Sequence, residues 1–589
     1  MSLVPPAVHA SSDAGDQVTR AGARARWLVL ACYLLGAVVL TVRLWADPAG
    51  HMQASDPHDV DLFAWFMRYA ATAVSHGRLP SLVTTSLNAP QGVSVMWNTS
   101  FLLPGVLLAP VTLLAGPQVS LTIVLTLGYA GSAASLFLVL RRWGASVPAA
   151  ALGGAVYGFS PALVNSGFGH YQLAPAVLPP LMIDALLRIV TGRGSAVRAG
   201  AWLGLLAAAQ VFIGEELLVD TALAGGLLVA VLAAQRPRAV VYQARGVAAG
   251  LATAAAVTAL LSGYALWVQI RGPLHEHSLL LSSWSGDLAS YVVPPGQLLI
   301  HTPASAALAN SFQPGGASEY LGYLGVPLLL LLPVLMIRFR RDPKVRAAGW
   351  TFALLELCSL GGGTLVIGSF HIPGYLLPWH WLQGLPGIAQ VMPDRFAILA
   401  DGAAAALLAF SLDRVRSAPP RAERWRRYAP AAVIALAIVP IIPTPFQTTP
   451  VAPTPAGWQA AFVRLRLNPA APVLTVPVPI LRCTLAMRWQ ADTSVPGSMI
   501  GGYFLGPDQT GQAAFSPGTT LISARYLDDL WQGAPPSSSD TAQLRSELAY
   551  WRPAAIVAVT RLHSTLERVL AGLVGPPTFG VKSVLVWRL

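Results

Sequence analysis

At 589 residues, with 54% hydrophobic and 11% charged residues and a mean hydropathy of +0.56, the chain is too apolar for a soluble enzyme of its length and reads as a polytopic membrane protein. Its net charge of +12 does not mark a nucleic-acid surface, because the arginines fall in short clusters between apolar runs, the pattern of cytoplasmic topology signals. Of the three cysteines, Cys32 and Cys358 lie in apolar segments and Cys483 stands alone, which supports neither a disulfide framework nor a Cys-based metal site.

In chain order, residues 1–26 form a polar tail with Arg20, Arg24 and Arg26 just before the apolar run 27–45. No small-residue cleavage site follows, so this run is expected to be an uncleaved first helix entering from the cytoplasm. Residues 46–118 form the first outer loop. Within it, 101–114 is apolar but short and broken by Pro104 and Pro110, as in a juxtamembrane or re-entrant element. Ten further crossings are expected at 119–140, 149–165, 173–190, 199–214, 217–234, 246–270, 321–337, 347–369, 396–412 and 428–442, which makes about eleven and puts every basic cluster inside. After the Pro/Thr linker at 443–455 no membrane-length apolar run remains. Residues 473–478, 555–559 and 581–586 read as strands and 541–550 as a helix, with a mobile loop at 535–539. The expected architecture is mainly α: a transmembrane helical bundle over 27–442 and an extracytoplasmic α/β domain over 443–589.

Chemistry concentrates in the outer loops. The segment Asp56-Pro57-His58-Asp59-Val60-Asp61 puts three carboxylates beside the bilayer, where such groups persist only against water, a partner or a substrate. Asp56-Pro57 also fits a helix N-cap and first residue, a purely structural role. Further outer-loop candidates for substrate contact are His76, Asn88, Trp97, His170, Glu215 and Glu216. Pro393-Asp394-Arg395 opens an inward helix at the outer face, and a helix N-terminus favours anions, so Arg395 is a candidate phosphate ligand. His275-Glu276-His277 invites a metal reading, but histidines two apart on a loop are weak support; no ligand set is assigned, and a divalent cation stays open as cofactor.

Asp59 followed by Trp65-Phe66, His76-Gly77-Arg78-Leu79-Pro80, Asn88 to Val93 and Met96 to Ser100 resemble the first outer loop of bacterial GT-C-type membrane glycosyltransferases. Tyr157-Gly158-Phe159-Ser160-Pro161, Gly169-His170, Pro393 to Phe396 and Gly501-Gly502-Tyr503 extend the resemblance in order along the chain. The resemblance implies a GT-C-like bundle in a bacterial inner membrane. It implies a polyprenyl-phosphate sugar donor, carrying arabinofuranose or mannose, and an extracytoplasmic glycan, glycolipid or protein acceptor. A first-loop carboxylate would then be the general base on the acceptor hydroxyl: Asp59 first, Asp56 second, and Asp61 last because helical periodicity turns it off the Asp59 face. A transporter or flippase is the rival, although no inverted repeat is visible. A non-catalytic assembly factor is the third reading, and it would tolerate loss of Asp59 and Asp56.

Overall fold

Apolar runs become helices because, in hydrocarbon, a helix satisfies every backbone donor and acceptor within one segment. The computed structural model describes residues 12–99, 101–235, 237–276, 287–312, 316–362, 364–367, 370–385, 388, 391–417, 424–508, 510–516 and 520–589. Among these residues five helices are long and apolar enough to cross a membrane: Pro117–Arg142, Val147–Ser166, Glu215–Gln235, Ala244–Arg271 and Pro393–Arg416. Shorter apolar helices occupy Ala196–Val211, Val326–Arg338 and Ala429–Ile441. The chain is an integral membrane protein of mainly helical fold.

Burial sorts these helices. Pro393–Arg416 is central, with 83% of its apolar window buried, whereas only 22% of that of Ala244–Arg271 is buried. The outer helix leaves Leu260, Leu261, Tyr264 and Trp267 exposed, an arrangement that is costly in water and natural in lipid.

The expected re-entrant stretch 101–114 is two short helices, Leu102–Leu107 and Ala109–Ala115, divided at Leu108. The expected crossing 347–369 is cut short. Its helix, Pro343–Ser359, is followed by a strand pair, Thr364–Ile367 with Phe370–Pro373, because Gly361 and Gly362 interrupt the helix and Thr364, Val366 and Ile367 prefer extended backbone.

Beyond the linker lies a five-stranded sheet in the spatial order Phe579–Val581, Val584–Arg588, Ala555–Val559, Pro472–Val476, Ser498–Met499. Ala555–Val559 and Pro472–Val476 run parallel, while the last two strands of the chain form an antiparallel hairpin. The single strand expected at 581–586 is thus two strands, turned at Lys582, whose φ is 53°. The expected loop at 535–539 instead ends in a cap: Ser537 accepts from the Asp540 amide and opens the helix Ser538–Trp551.

This C-terminal part is seated on the first outer loop. Trp65, Phe66 and Leu87 share one apolar cluster with Trp458, Trp489 and Met499. Burying each such large side chain contributes about 1.5–3 kcal/mol. Polar contacts set the register: the Trp65 indole donates to Gln490 at 2.9 Å, and Asn98 exchanges two hydrogen bonds with the Leu505 backbone. His51–Gln53 pairs antiparallel with Thr448–Pro450, tying the linker to the same loop.

Candidate active site

The helix Pro57–Ser75 begins with Pro57 in its first turn, and Asp56 occupies the N-cap position. The Asp56 side chain does not cap the helix, however; it bonds to Ser318. Asp59, one turn in, is held on both sides. Its Oδ1 accepts from the Tyr503 hydroxyl at 2.7 Å, and its Oδ2 lies 3.3 Å from His170 Nε2. The same imidazole nitrogen is 3.5 Å from Glu319 Oε1, and that oxygen accepts from Arg395 Nη2 at 2.8 Å. The other arm of Arg395 donates to Glu216. One continuous polar chain therefore runs Tyr503, Asp59, His170, Glu319, Arg395, Glu216.

Local sequence explains how the chain closes. Gly169 lets the turn before His170 press against the helix start: a Cβ there would sit 3.0 Å from Asp56 Cβ and 3.3 Å from Asp59 Cβ. Gly501, at φ 81°, brings Tyr503 inward, since a side chain at 501 would meet the Pro479 carbonyl at 2.7 Å. Asp59 and Glu216 both lie in the first turns of their helices, where the macrodipole favours negative charge.

The electrostatics follow from this geometry. Burial works against ionisation of Asp59, but His170, Tyr503 and Arg395 outweigh it and hold the carboxyl below its ordinary 3.8. Burial likewise opposes the His170 imidazolium, yet Glu319 and Asp59 raise it above 6.5. Glu319 is kept below its usual range, against its burial, by Arg395 and His170. Tyr503 is pushed up by burial and by Asp59, so it remains a donor. Asp56, by contrast, is raised by burial. Access differs as well: the Asp59 side chain keeps 21% of its surface open, against 4% for Glu319 and 7% for Arg395.

Asp61 belongs to another network. Its Oδ2 accepts from Thr484 at 2.6 Å and its Oδ1 is 3.5 Å from Arg488, which also binds Asp492 and Gln118; burial pushes Asp61 up to about 6. Two residues along a helix turn a side chain by about 200°, which separates Asp61 from Asp59.

The other residues singled out from the sequence divide. His170 meets Asp59 directly, and Arg395 and Glu216 join it through Glu319. Glu215 is half-buried beside Glu216, and its buried Oε1 lacks a hydrogen-bond partner among the described residues. His76 is exposed, with Nδ1 2.8 Å from the Thr72 carbonyl oxygen. Asn88 is buried and braces its own turn by donating to the Gly92 carbonyl, and the Trp97 indole donates to the Gln269 carbonyl at 2.7 Å. None of these three bonds to the chain around Asp59 among the described residues; each serves backbone instead. His277 lies outside the described residues, and Glu276 is buried and pushed up to about 8. Among the described residues no group of three or more His, Cys, Asp or Glu is placed to hold a metal ion. Asp59 and Glu319 converge on the His170 nitrogen instead of on a common cation position, so no step is assigned to a metal.

Glu319 and Tyr503 stood in the sequence without an assigned role. Asp220, outside this hydrogen-bonded chain, was readable only as the residue four after Glu216, on the same helix face. Asp220 and Asp394 are buried, and neither carboxylate has a hydrogen-bond partner among the described residues.

The fold is similar to that of the arabinofuranosyltransferase AftD from Mycobacteria, with a TM-score of 0.54 at 15% identity, covering 96% of this chain and 40% of that one. The chain thus spans well under half the length of that enzyme. Weaker likenesses extend to the oligosaccharyltransferase AglB from Archaeoglobus fulgidus, in complex with an inhibitory peptide and a dolichol-phosphate (TM-score 0.46, 11% identity, 93% and 71% covered). ArnT from Cupriavidus metallidurans, bound to undecaprenyl phosphate, gives a TM-score of 0.45 at 12% identity, with 95% and 97% covered. No curated protein sequence matches. Residues 58–373, more than half of the chain, match the family described as a domain of unknown function (DUF6311), and the chain belongs to that family.

Proposed function

We propose that this protein is a glycosyltransferase that moves a sugar from a polyprenyl-phosphate carrier to an extracytoplasmic glycan, glycolipid or protein, with Asp59 as general base. The observation that carries the reading is a partly open carboxylate held by His170 and Tyr503, in a fold similar to that of an arabinofuranosyltransferase. The acceptor hydroxyl gives its proton to Asp59 as its oxygen bonds to the anomeric carbon. The bond from that carbon to the phosphate oxygen breaks, and the polyprenyl phosphate departs as an anion. A carboxylate has about four lone-pair positions, so two partners leave Asp59 free to accept the hydroxyl. Arg395 is the donor-phosphate ligand on this reading. To reach phosphate it exchanges Glu216 or Glu319 for a phosphate oxygen, which its forked guanidinium permits. The topology proposed with it has about eleven crossings, a tail at 1–26 inside and an α/β domain at 443–589 outside, in a bacterial inner membrane.

The test is transfer of radiolabelled arabinofuranose or mannose from synthetic polyprenyl-phosphate donors by the purified full chain. Sustained transfer supports the reading, and absence of turnover with every donor defeats it. A transporter is the second reading, favoured by the carboxylates Asp220, Asp394 and Asp401 buried within apolar helices. It predicts ion or substrate flux in proteoliposomes without chemistry.

Two further results are expected. Gly169→Ala displaces the start of the Asp59 helix, so transfer falls by about tenfold while stability falls by only about 1 kcal/mol, as for mild overpacking. Equal loss of fold and activity in a melting and rate comparison would contradict this. The pH dependence has two limbs. His170, raised above 6.5, contributes stability in full below 6.5 and loses it as pH rises through its raised value. Asp59, held below 3.8, contributes in full above 3.8 and loses it as pH falls through its lowered value. Between these values both contributions are complete. His170→Gln should remove the alkaline limb from a melting-temperature profile, and an unchanged profile would refute the assignment.

A further inference from the structure

The central helices carry a second feature, which extends along them away from Asp59. Helix Phe396–Arg416 follows directly on Arg395, and Glu216 lies in the first turn of Glu215–Gln235; both line a cavity of about 510 Å³ that runs from Leu399 and Ala224 to Phe410 and Gln235. Nineteen residues of helix separate Glu216 from Gln235, about 28 Å. The volume falls within the roughly 300–1,000 Å³ of small-molecule sites.

The cavity walls are apolar, with Leu187, Leu228, Leu232 and Ala403 among them, and its rim carries the exposed cations Arg188, Arg193 and Lys344. The carboxylate that shares this lining, Asp184, is already taken: it binds Arg142 and Arg188 at 3.0 Å each and accepts from the Trp143 indole at 3.0 Å. Lys344 is anchored through its ammonium to the Trp143 carbonyl at 2.6 Å and lies over the Phe410 ring. Inside, Thr351 is only 6% exposed, and its hydroxyl has no partner among the described residues. An excess of fixed positive charge over an apolar slot between membrane helices matches an amphiphile with an anionic head and hydrocarbon tails. Arginine clusters that only set topology need neither a cavity beneath them nor an unsatisfied hydroxyl inside it.

We infer that this cavity binds one anionic phospholipid, with its acyl chain between the 178–191, 215–235 and 396–416 helices and its phosphate on Arg188, Arg193 and Lys344. The inference is independent of glycosyl transfer, because the charged rim lies toward the other end of the bundle and binding is read without turnover.

The experiment is native mass spectrometry of the detergent-solubilised full chain titrated with phosphatidylglycerol or phosphatidylcholine. One phosphatidylglycerol should be retained per chain, with phosphatidylcholine held at least about tenfold more weakly. The surface double substitution Arg193→Gln/Lys344→Gln should reduce phosphatidylglycerol retention by about tenfold or more. Ala403→Phe should abolish retention by filling the slot with the rim intact. Arg341→Gln, exposed on the neighbouring basic turn but outside the cavity lining, should change nothing. Equal retention of the two lipids would overturn the inference. So would an Arg341→Gln loss as large as that of the rim variant, since that result describes lipid held around the protein by general charge.

Discussion

Asp59→Asn is expected to lower sugar transfer by about 10³-fold in a protein that still folds, within the 10²–10⁴ span of general-base catalysis. Asparagine keeps the shape of the side chain, and its carbonyl oxygen still accepts from Tyr503, so the helix start stays docked on the C-terminal part. What is lost is a group able to take a proton. Asp61→Asn serves as the matched comparison and should leave transfer within about threefold. Asp61 is held near 6 by burial, so its neutral form is already accessible, and an amide oxygen replaces the acceptor used by Thr484. Asp56→Asn should fall between the two, because Asp56 borders the base but is directed to Ser318. Initial rates with a polyprenyl-phosphate donor, with melting temperatures alongside, decide the matter. Near-wild-type transfer by Asp59→Asn, or its abolition by Asp61→Asn alone, would move the base off Asp59.

Removing Arg395 should have the largest effect on stability. Its guanidinium is buried between Glu216 and Glu319, and Arg395→Met leaves both carboxylates without that counter-charge, a loss of about 3–5 kcal/mol for a broken buried pair. Arg395→Lys retains the charge but not the fork that engages two carboxylates, so it should be less damaging to the fold. The combination Arg395→Met/Glu319→Gln separates the two roles of Arg395. Neutralising Glu319 removes part of the unpaired charge and should recover part of the melting temperature. If Arg395 also binds donor phosphate, transfer stays at least about 10²-fold down in that double variant, the scale for loss of one electrostatic stabiliser of a developing anion. Recovery of transfer together with fold would make Arg395 an organiser of Glu319 and His170 and nothing more.

Composition and the long apolar runs were enough to make this a helical membrane protein, because such runs have few other ways to satisfy their backbone in lipid. The phase separating Asp59 from Asp61 was also legible, since two residues on a helix face different ways whatever surrounds them. The C-terminal strands were visible as β-branched runs, although the turn at Lys582 that splits the last of them was not. Tertiary structure alone decided which polar groups meet. Tyr503 reaches Asp59 across 444 residues, and Arg395 reaches Glu216 across 179 and Glu319 across 76. His76, Asn88 and Trp97, though set in the same motif-rich loop as Asp59, are spent on backbone contacts. Periodicity is a property of consecutive residues and can be read along the chain. Convergence depends on how the C-terminal part packs on the first-loop helix, and on the close approach that Gly169 allows beside Asp59, both of which arise only when distant segments pack.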